Sequence, residues 1–352
     1  MTDNNNIRIK DIAKLAGVSV GTVDRVIHKR GKVSEEVKEK IEKVLSETGY
    51  KPNLLARTLG SKKGIKIAVI MPNPEQDEYW ALAFTGITQS LEDWSQYNLQ
   101  IDNHFFDLFD SSSFREAAEN ALSQTPDGLV CAPIFHKETL EFFSQQNQDN
   151  IPYVLCNTFI KELSPISFIG QDLYQSGRLA GELISIGGTD KSHVAILHIQ
   201  ENIENSMHLK AKEQGLRDIL EPKYEISSHD IKKMDPALIR EQIEQILIDE
   251  NLGGIFVSTS SALHEVASIL ENMGRSDIRL IGYDLLEKNL SYLKRGVINF
   301  LINQNPKRMT LTGIGHLSNH LLFQKELPEN ELFPLEIISR ENMETYLNSR
   351  IH

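Results

Sequence analysis

IRIKDIAKLAGVSVGTVDRVIHKRGKVSEEVKEKIEKVLSETGYKPNLLARTLGSKKGIKIAVIMP, residues 7–72, is the stretch that organises the chain. Ile9, Ile12, Ala13 and Ala16 recur at helical spacing, and Gly17 then permits a tight turn. Ser19 is placed to cap a second helix that runs through Val23, Val26 and Ile27. Gly31 interrupts it. Ser34 opens a third helix, with Glu35 and Glu36 at its positive end and Val37, Ile41, Val44 and Leu45 on its apolar face. Two short helices around a glycine turn, packed by a third, make a helix-turn-helix. The second helix presents Val20, Gly21 and Arg25 on one face, where base edges are read, and Ser19, Thr22 and Lys29 stand in reach of phosphates.

Charge is distributed to match. The chain has 352 residues, 37 Lys/Arg and 49 Asp/Glu, a formal net charge of −12 that taken whole argues against nucleic acid. Residues 1–63 hold 14 basic and 8 acidic side chains, net +6. The rest holds 23 and 41, net −18. A small basic head precedes a large acidic body, which is expected to repel the duplex and leave contact to the head.

From residue 64 onward, β-branched runs alternate with helix-length segments. Strands are expected at 65–71, 99–106, 128–132, 153–157, 167–170, 193–199, 254–258 and 279–283. Helices are expected at 79–97, 112–124, 173–186, 205–220, 235–250 and 261–273. Strict alternation means parallel sheets with helices on both faces and ligands at the carboxyl ends of strands. About 290 residues exceed one comfortable core, so two α/β lobes around a cleft are expected. Cys131 and Cys156 end apolar runs and read as buried thiols of a reducing compartment. The N-terminus shows no apolar signal segment and no run reaches membrane length, so a cytoplasmic protein without membrane contact is expected.

The IAKLAGVS…TV.RV string followed by GY.PN..AR.L resembles the head of the LacI/GalR family of bacterial transcription regulators, and the resemblance extends over essentially the whole chain. The body looks like that family's effector core, similar to ribose-type periplasmic sugar-binding proteins. The implied fold class is α/β: a three-helix helix-turn-helix head and hinge helix, then a two-lobe periplasmic-binding-protein-like core of parallel sheets flanked by helices. The implied divisions are 1–51 for the head and 52–63 for hinge and linker. The first lobe takes 64–163 with a returning segment at 296–320, and the second takes 164–295 with 321–352.

By the resemblance, Val20 and Gly21 hold the main base-reading pair and Arg25 a third position. Readout then leans on Arg25, because arginine bidentate to guanine is the commonest specific contact. Asp24 stands where serine is usual, and either pairs with Arg25 or Lys29 or accepts from a cytosine amino group. Arg8 replaces the common threonine cap. Asn53 caps a hinge helix too short to stand alone, in which Leu59 is a minor-groove wedge flanked by Arg57, Lys62 and Lys63. The competing reading is a linker whose leucines pack on the body.

For the cleft, the resemblance points to Asp284 in LIGYDL, Asp172 after SFIGQ, Gln304 in INQNP and Asn157, where aspartate is common. Tyr79 and Trp80 supply an aromatic face for a sugar or polyol. Lys212, three before Gly215, replaces the usual arginine, and Thr259 and Ser260 replace an Asn-Asp pair. Ala132 stands where a polar residue is frequent. For Asp172 and Asp284 the competing reading is a helix cap or a turn, and the ligand role is favoured over it.

Enzyme readings lack a motif: no G-x-S-x-G, Walker string or G-x-G-x-x-G is present. His316 and His320 have metal-ligand spacing without a third ligand, and read as ordinary surface histidines. Neither cofactor nor metal is expected. The function implied is a homodimeric regulator of pseudo-palindromic double-stranded DNA, switched by a small-molecule effector. The alternatives are a solute-binding protein or a sugar-active enzyme of similar core.

Overall fold

The computed structural model describes residues 9–27, 31, 33–48, 64–146, 151–186, 190–199, 205–221, 223–231 and 235–349. It divides into a head unit, 1–62, and a core unit, 63–352.

In the head, α1 (Ile9–Ala16), α2 (Val20–Ile27) and α3 (Glu35–Thr48) enclose Ile12, Ala13, Val23 and Ile41, all buried. Gly17 has φ +66°, and the Val18 N–H reaches the Ala13 carbonyl while Gly17 N–H reaches Lys14. This pair of bonds is a Schellman ending, which a glycine in the left-handed region makes cheap. Ser19 then caps α2: its Oγ accepts the Thr22 N–H at 3.2 Å and lies 2.9 Å from the Thr22 hydroxyl.

The core is two six-stranded sheets. In chain order the first holds β1 (Ile65–Pro72), β2 (Leu99–Phe106), β3 (Gly128–Cys131), β4 (Tyr153–Asn157), β5 (Ser167–Gly170) and β11 (Asn330–Leu332). The second holds β6 (His193–Ile199), β7 (Glu225–Ile231), β8 (Leu252–Val257), β9 (Arg279–Tyr283), β10 (Phe300–Asn303) and β12 (Glu336–Ile338). The spatial orders are β11-β5-β4-β3-β1-β2 and β12-β10-β9-β8-β6-β7. All pairings are parallel except β10 with β12.

Helices α4 (Glu78–Asp93), α5 (Ser111–Ser123), α6 (His136–Gln146) and α12 (Pro306–Phe323) cover the first sheet. The second carries α7 (Leu173–Ser185), α8 (Met207–Leu220), α9 (Pro236–Ile246), α10 (Leu263–Asn272), α11 (Glu287–Arg295) and, near the end of the chain, α13 (Met343–Asn348). Inner strands such as β4 and β9 are buried on both faces and read as unbroken apolar runs. Cys131 and Cys156 are buried free thiols.

The lobes divide differently from the expected boundaries. Strand 167–170 belongs to the first sheet, so the chain crosses at Gln171–Asp172, not at 163–164. The segment 296–320 is split, because β10 joins the second sheet while α12 packs on the first lobe. The segment 321–352 is split too, β11 joining the first sheet and β12 the second. Three crossings therefore link the lobes. Gln171, buried on the first, donates its amide to the Asn303 carbonyl beside the second and the Pro334 carbonyl on the third, each at 2.9 Å.

Candidate functional site

On the head, Ser19, Val20, Gly21 and Arg25 are exposed, and Thr22 and Asp24 are half-buried. The exposure follows from packing: Val23 turns inward with Ile12 and Ile41, which forces the opposite side of α2 outward. Lys29, Asn53, Arg57 and Leu59 lie outside the described residues.

In the core, a cleft of about 480 Å³, counting the open solvent in its mouth, lies between the lobes at the carboxyl ends of the strands. From the first lobe come Asp77, Tyr79 and Trp80, after β1, then Leu108, Ile134 and Asn157. From the second come Ile199, His208 and Lys212, the run Ser258–Ser261, and Gln304 after β10. Of the residues expected in the cleft, Tyr79, Trp80, Asn157, Lys212, Thr259 and Gln304 meet there.

Asp77 caps α4, its Oδ1 accepting from the N–H groups of Tyr79 (2.8 Å) and Trp80 (3.2 Å). That cap turns the first helical residues into the cleft. The other Asp77 oxygen accepts the Ser261 hydroxyl from the second lobe. Asn205 joins the lobes again, donating to Glu138 at 2.8 Å and accepting the Lys137 N–H at 3.2 Å. Asn157 ends β4 with φ 74° and accepts the Tyr79 hydroxyl at 3.0 Å.

Lys212 is placed by a close crossing of α7 and α8. A Cβ on Gly177 would lie 1.9 Å from the Lys212 carbonyl oxygen, and one on Gly215 2.0 Å from that of Tyr174. The Lys212 ammonium, with its residue only 3% exposed, reaches the Ser258 carbonyl (3.1 Å), Gln304 Oε1 (3.4 Å) and the Tyr283 ring, 3.7 Å from its centroid. Burial raises the Tyr283 hydroxyl pKa, against the pull of its 2.8 Å bond with Ser176.

Two expected ligand residues do different work. Asp284 is fully buried behind the wall, with φ 61°. It accepts from the Ser260 hydroxyl (2.5 Å), the Gln304 N–H (2.8 Å) and the Gln304 side-chain amide (2.6 Å). Burial raises its pKa, while those donors and Lys212 oppose the rise. Asp172 is exposed and caps α7 through the Gln175 N–H at 2.9 Å. The carboxylates that sequence reasoning placed in the cleft are thus a brace and a cap. Sequence reasoning missed Asp77, His208 and Ser258 as lining residues. Asp77 was legible as an acidic cap just before the aromatic pair.

Behind Ser258 stands a buried polar chain. His198 Nδ1 lies 2.8 Å from Ser258 Oγ and its Nε2 lies 2.8 Å from Glu213. Glu213 also receives Arg217 (2.7 Å) and Ser228 (2.6 Å). The His198 bond above all holds the Glu213 pKa down at about 2. His316, read as an ordinary surface histidine, uses both ring nitrogens, with Ser167 at 3.1 Å and Glu331 at 2.8 Å. Among the described residues no helix is long and apolar enough to cross a membrane.

Residues 8–53 match the family of bacterial regulatory proteins, lacI family, and residues 67–325 match the periplasmic binding protein domain. The sucrose operon repressor of Streptococcus mutans is 24% identical over 96% of this chain and 99% of its own. The HTH-type transcriptional regulator MalR of Streptococcus pneumoniae is 25% identical over 95% and 99%. A candidate LacI transcriptional regulator of Bacteroides fragilis superimposes with TM-score 0.74 at 26% identity, over 81% of this chain and 100% of that one. A Bacillus halodurans solute-binding protein with bound myo-inositol shares the fold at TM-score 0.71 and 18% identity, over 82% and 98%. A periplasmic-binding-protein core behind a helix-turn-helix head places this chain in the lacI family of bacterial regulatory proteins, the DNA-binding regulators of transcription.

Proposed function

We propose that the protein is a cytoplasmic homodimer whose hold on a pseudo-palindromic operator is switched by a sugar or polyol between the core lobes. The observation that carries the switch is the cavity itself, which takes its walls from both lobes and is bridged by Asp77 and Ser261. A ligand contacting both walls favours one separation of the lobes over another, a coupling of typically about 1–3 kcal/mol in such switches. Tyr79 and Trp80 offer apolar faces, and Asn157, Thr259 and Gln304 offer neutral hydrogen-bonding groups, the combination a polyol needs. The 24%-identical sucrose operon repressor supports a saccharide as effector.

On the head, Val20, Gly21 and Arg25 read bases while Ser19, Thr22 and Lys29 meet phosphates, with Asp24 beside them. Asn53 and Arg57 support the hinge, and Leu59 enters the minor groove. Two heads are needed, because one reads too few base pairs to discriminate within a genome. The test is binding-site selection with the full chain, followed by titration of the selected duplex with and without sugars. Specific binding should weaken steeply with salt and shift when an effector is added. Arg25→Ala should cost about 1–3 kcal/mol of discrimination at one base pair per half-site. An unchanged preference removes Arg25 from its role.

A further inference from the structure

Resting on that reading of the cleft, we infer that the effector is uncharged, with no phosphate, carboxylate or amine, and that Lys212 and Asp284 orient Gln304 to read it. Three charged side chains stand at or directly behind the wall: Asp77, Lys212 and Asp284. Each is matched within the protein. An ammonium has three hydrogens, and Lys212 has the Ser258 carbonyl, the Gln304 carbonyl and the Tyr283 face to receive them. Asp284 takes three donors. Asp77 spends one oxygen on two helix N–H groups and the other on Ser261.

An anionic group would have to draw Lys212 off buried acceptors and would meet the Asp77 carboxylate as well. Lysine also lacks the planar fork by which arginine clamps phosphate or carboxylate. A cationic group would find Asp77 already committed at the positive end of α4. Besides the His208 imidazole, what the wall leaves on offer is neutral. The Thr259 hydroxyl is buried and has no partner among the described residues. Gln304 is held at both ends of its amide, its oxygen by Lys212 and its nitrogen by Asp284. One N–H and one lone pair then remain, in a fixed sense, for a hydroxyl group. Lys212 and Asp284 are positioning residues, and Gln304 is the reader.

The experiment uses matched ligands on the full chain, by thermal shift and calorimetric titration. One series is glucose, glucosamine, glucuronate and glucose 6-phosphate. The others are ribose with ribose 5-phosphate, and myo-inositol with its monophosphate. At least one neutral compound should raise the melting temperature and bind at least about tenfold more tightly than its charged counterparts. Its affinity should stay level between about 0.05 and 0.5 M salt, because no ligand charge is there to be screened. A charged member binding more tightly than its parent overturns this inference and leaves the saccharide reading standing. No response from any member overturns the saccharide reading itself. Lys212→Met gives a second readout. With Gln304 released, discrimination against an analogue lacking one hydroxyl should fall at least about fivefold, which a loss of general stability would not produce. Retained discrimination in a folded Lys212→Met protein also overturns the inference. If that variant does not fold, the salt and charge comparisons on the unmodified chain decide.

Discussion

Replacing Gly177 by alanine tests how the core sets its ligand wall. Alanine is the better helix former, and in an exposed helix the change gains about 1 kcal/mol. Here the new Cβ would sit 1.9 Å from the Lys212 carbonyl oxygen, 2.7 Å from its carbon and 2.9 Å from its Cα. Real Cβ atoms do not approach closer than 3.0 Å, so relief at the oxygen alone needs 3.0 − 1.9, or about 1.1 Å, of backbone separation. The obstacle is helix backbone, which cannot swing aside as a flexible side chain does. Overpacking of this kind costs about 1–3 kcal/mol, and a displacement above 1 Å belongs at the upper end. Less the propensity gain, the net loss is about 1–2 kcal/mol, a melting temperature lower by about 2–8 °C. Gly315, in α12, is the control: nothing lies within 4 Å of its Cβ position, so Gly315→Ala should be neutral or stabilising by up to about 1 kcal/mol. The assay is tryptophan fluorescence against temperature and urea. Both tryptophans, Trp80 and Trp94, belong to the first lobe, so the signal reports the core rather than the head. Effector affinity should fall with Gly177→Ala, since the carbonyl that must move belongs to Lys212. A Gly177→Ala protein that melts at or above the parent, with effector affinity intact, refutes the argument.

Asp172→Ala should cost about 0.5–2 kcal/mol of core stability, the value of a lost helix cap, and leave effector affinity within about twofold. A tenfold loss of affinity in calorimetric titration would return Asp172 to the ligand site. Acid stability should depend on Glu213. With its pKa at about 2 in the fold against an ordinary 4.5, its contribution is full above about pH 5 and is lost as pH falls from 4.5 towards 2. The upper bound is about 3 kcal/mol, and solvent screening of its partly exposed neighbourhood reduces it. Glu213→Gln should therefore flatten the denaturation profile over that range. An unchanged acid slope would show that other carboxylates control it.

The strands that sequence reading placed to the residue are instructive. The runs 153–157, 167–170, 193–199 and 279–283 coincide with β4, β5, β6 and β9, which are buried along nearly their whole length, and 99–106 coincides with β2, a half-exposed edge strand still marked by Leu99, Ile101, Phe105 and Phe106. Helices on both faces leave no solvent side, so a buried strand is written as a continuous apolar run. The strand at Glu225–Ile231, EISSHDI, escaped: like β2 it lies at a sheet edge, but only its two isoleucines are apolar. Three more were missed: Phe300–Asn303, a four-residue, largely apolar run inside the second sheet, and Asn330–Leu332 and Glu336–Ile338, which are three residues long and carry no periodicity. They also decide which lobe each late segment joins, whereas the first boundary was misplaced although 167–170 was read as a strand, because a strand's own sequence does not say which sheet it joins. In the head the pattern sufficed, because Gly17, Ser19 and Ser34 mark each helix end by backbone chemistry.

The placement of Asp284 behind the wall has another reason, visible when the lobes are compared. The first sheet's order β5-β4-β3-β1-β2 is repeated as β10-β9-β8-β6-β7 in the second. Asn157 directly follows Cys156 at the end of β4, and Asp284 directly follows Tyr283, the last residue of β9. They occupy corresponding turns, with φ of 74° and 61°. Among residues with a side chain, asparagine and aspartate enter this left-handed region most easily. Their presence at both strand ends is therefore a backbone requirement before it is a ligand requirement. Whether such a side chain then faces the cavity depends on what arrives from elsewhere in the chain. At Asn157 the arriving group is the Tyr79 hydroxyl, and the residue still lines the cavity. At Asp284 the arriving groups are Ser260 and Gln304, which take up the carboxylate and leave it fully buried. The same local signal thus yields a ligand-facing amide in one lobe and a buried brace in the other, because contacts from 20 and 24 residues away decide the second.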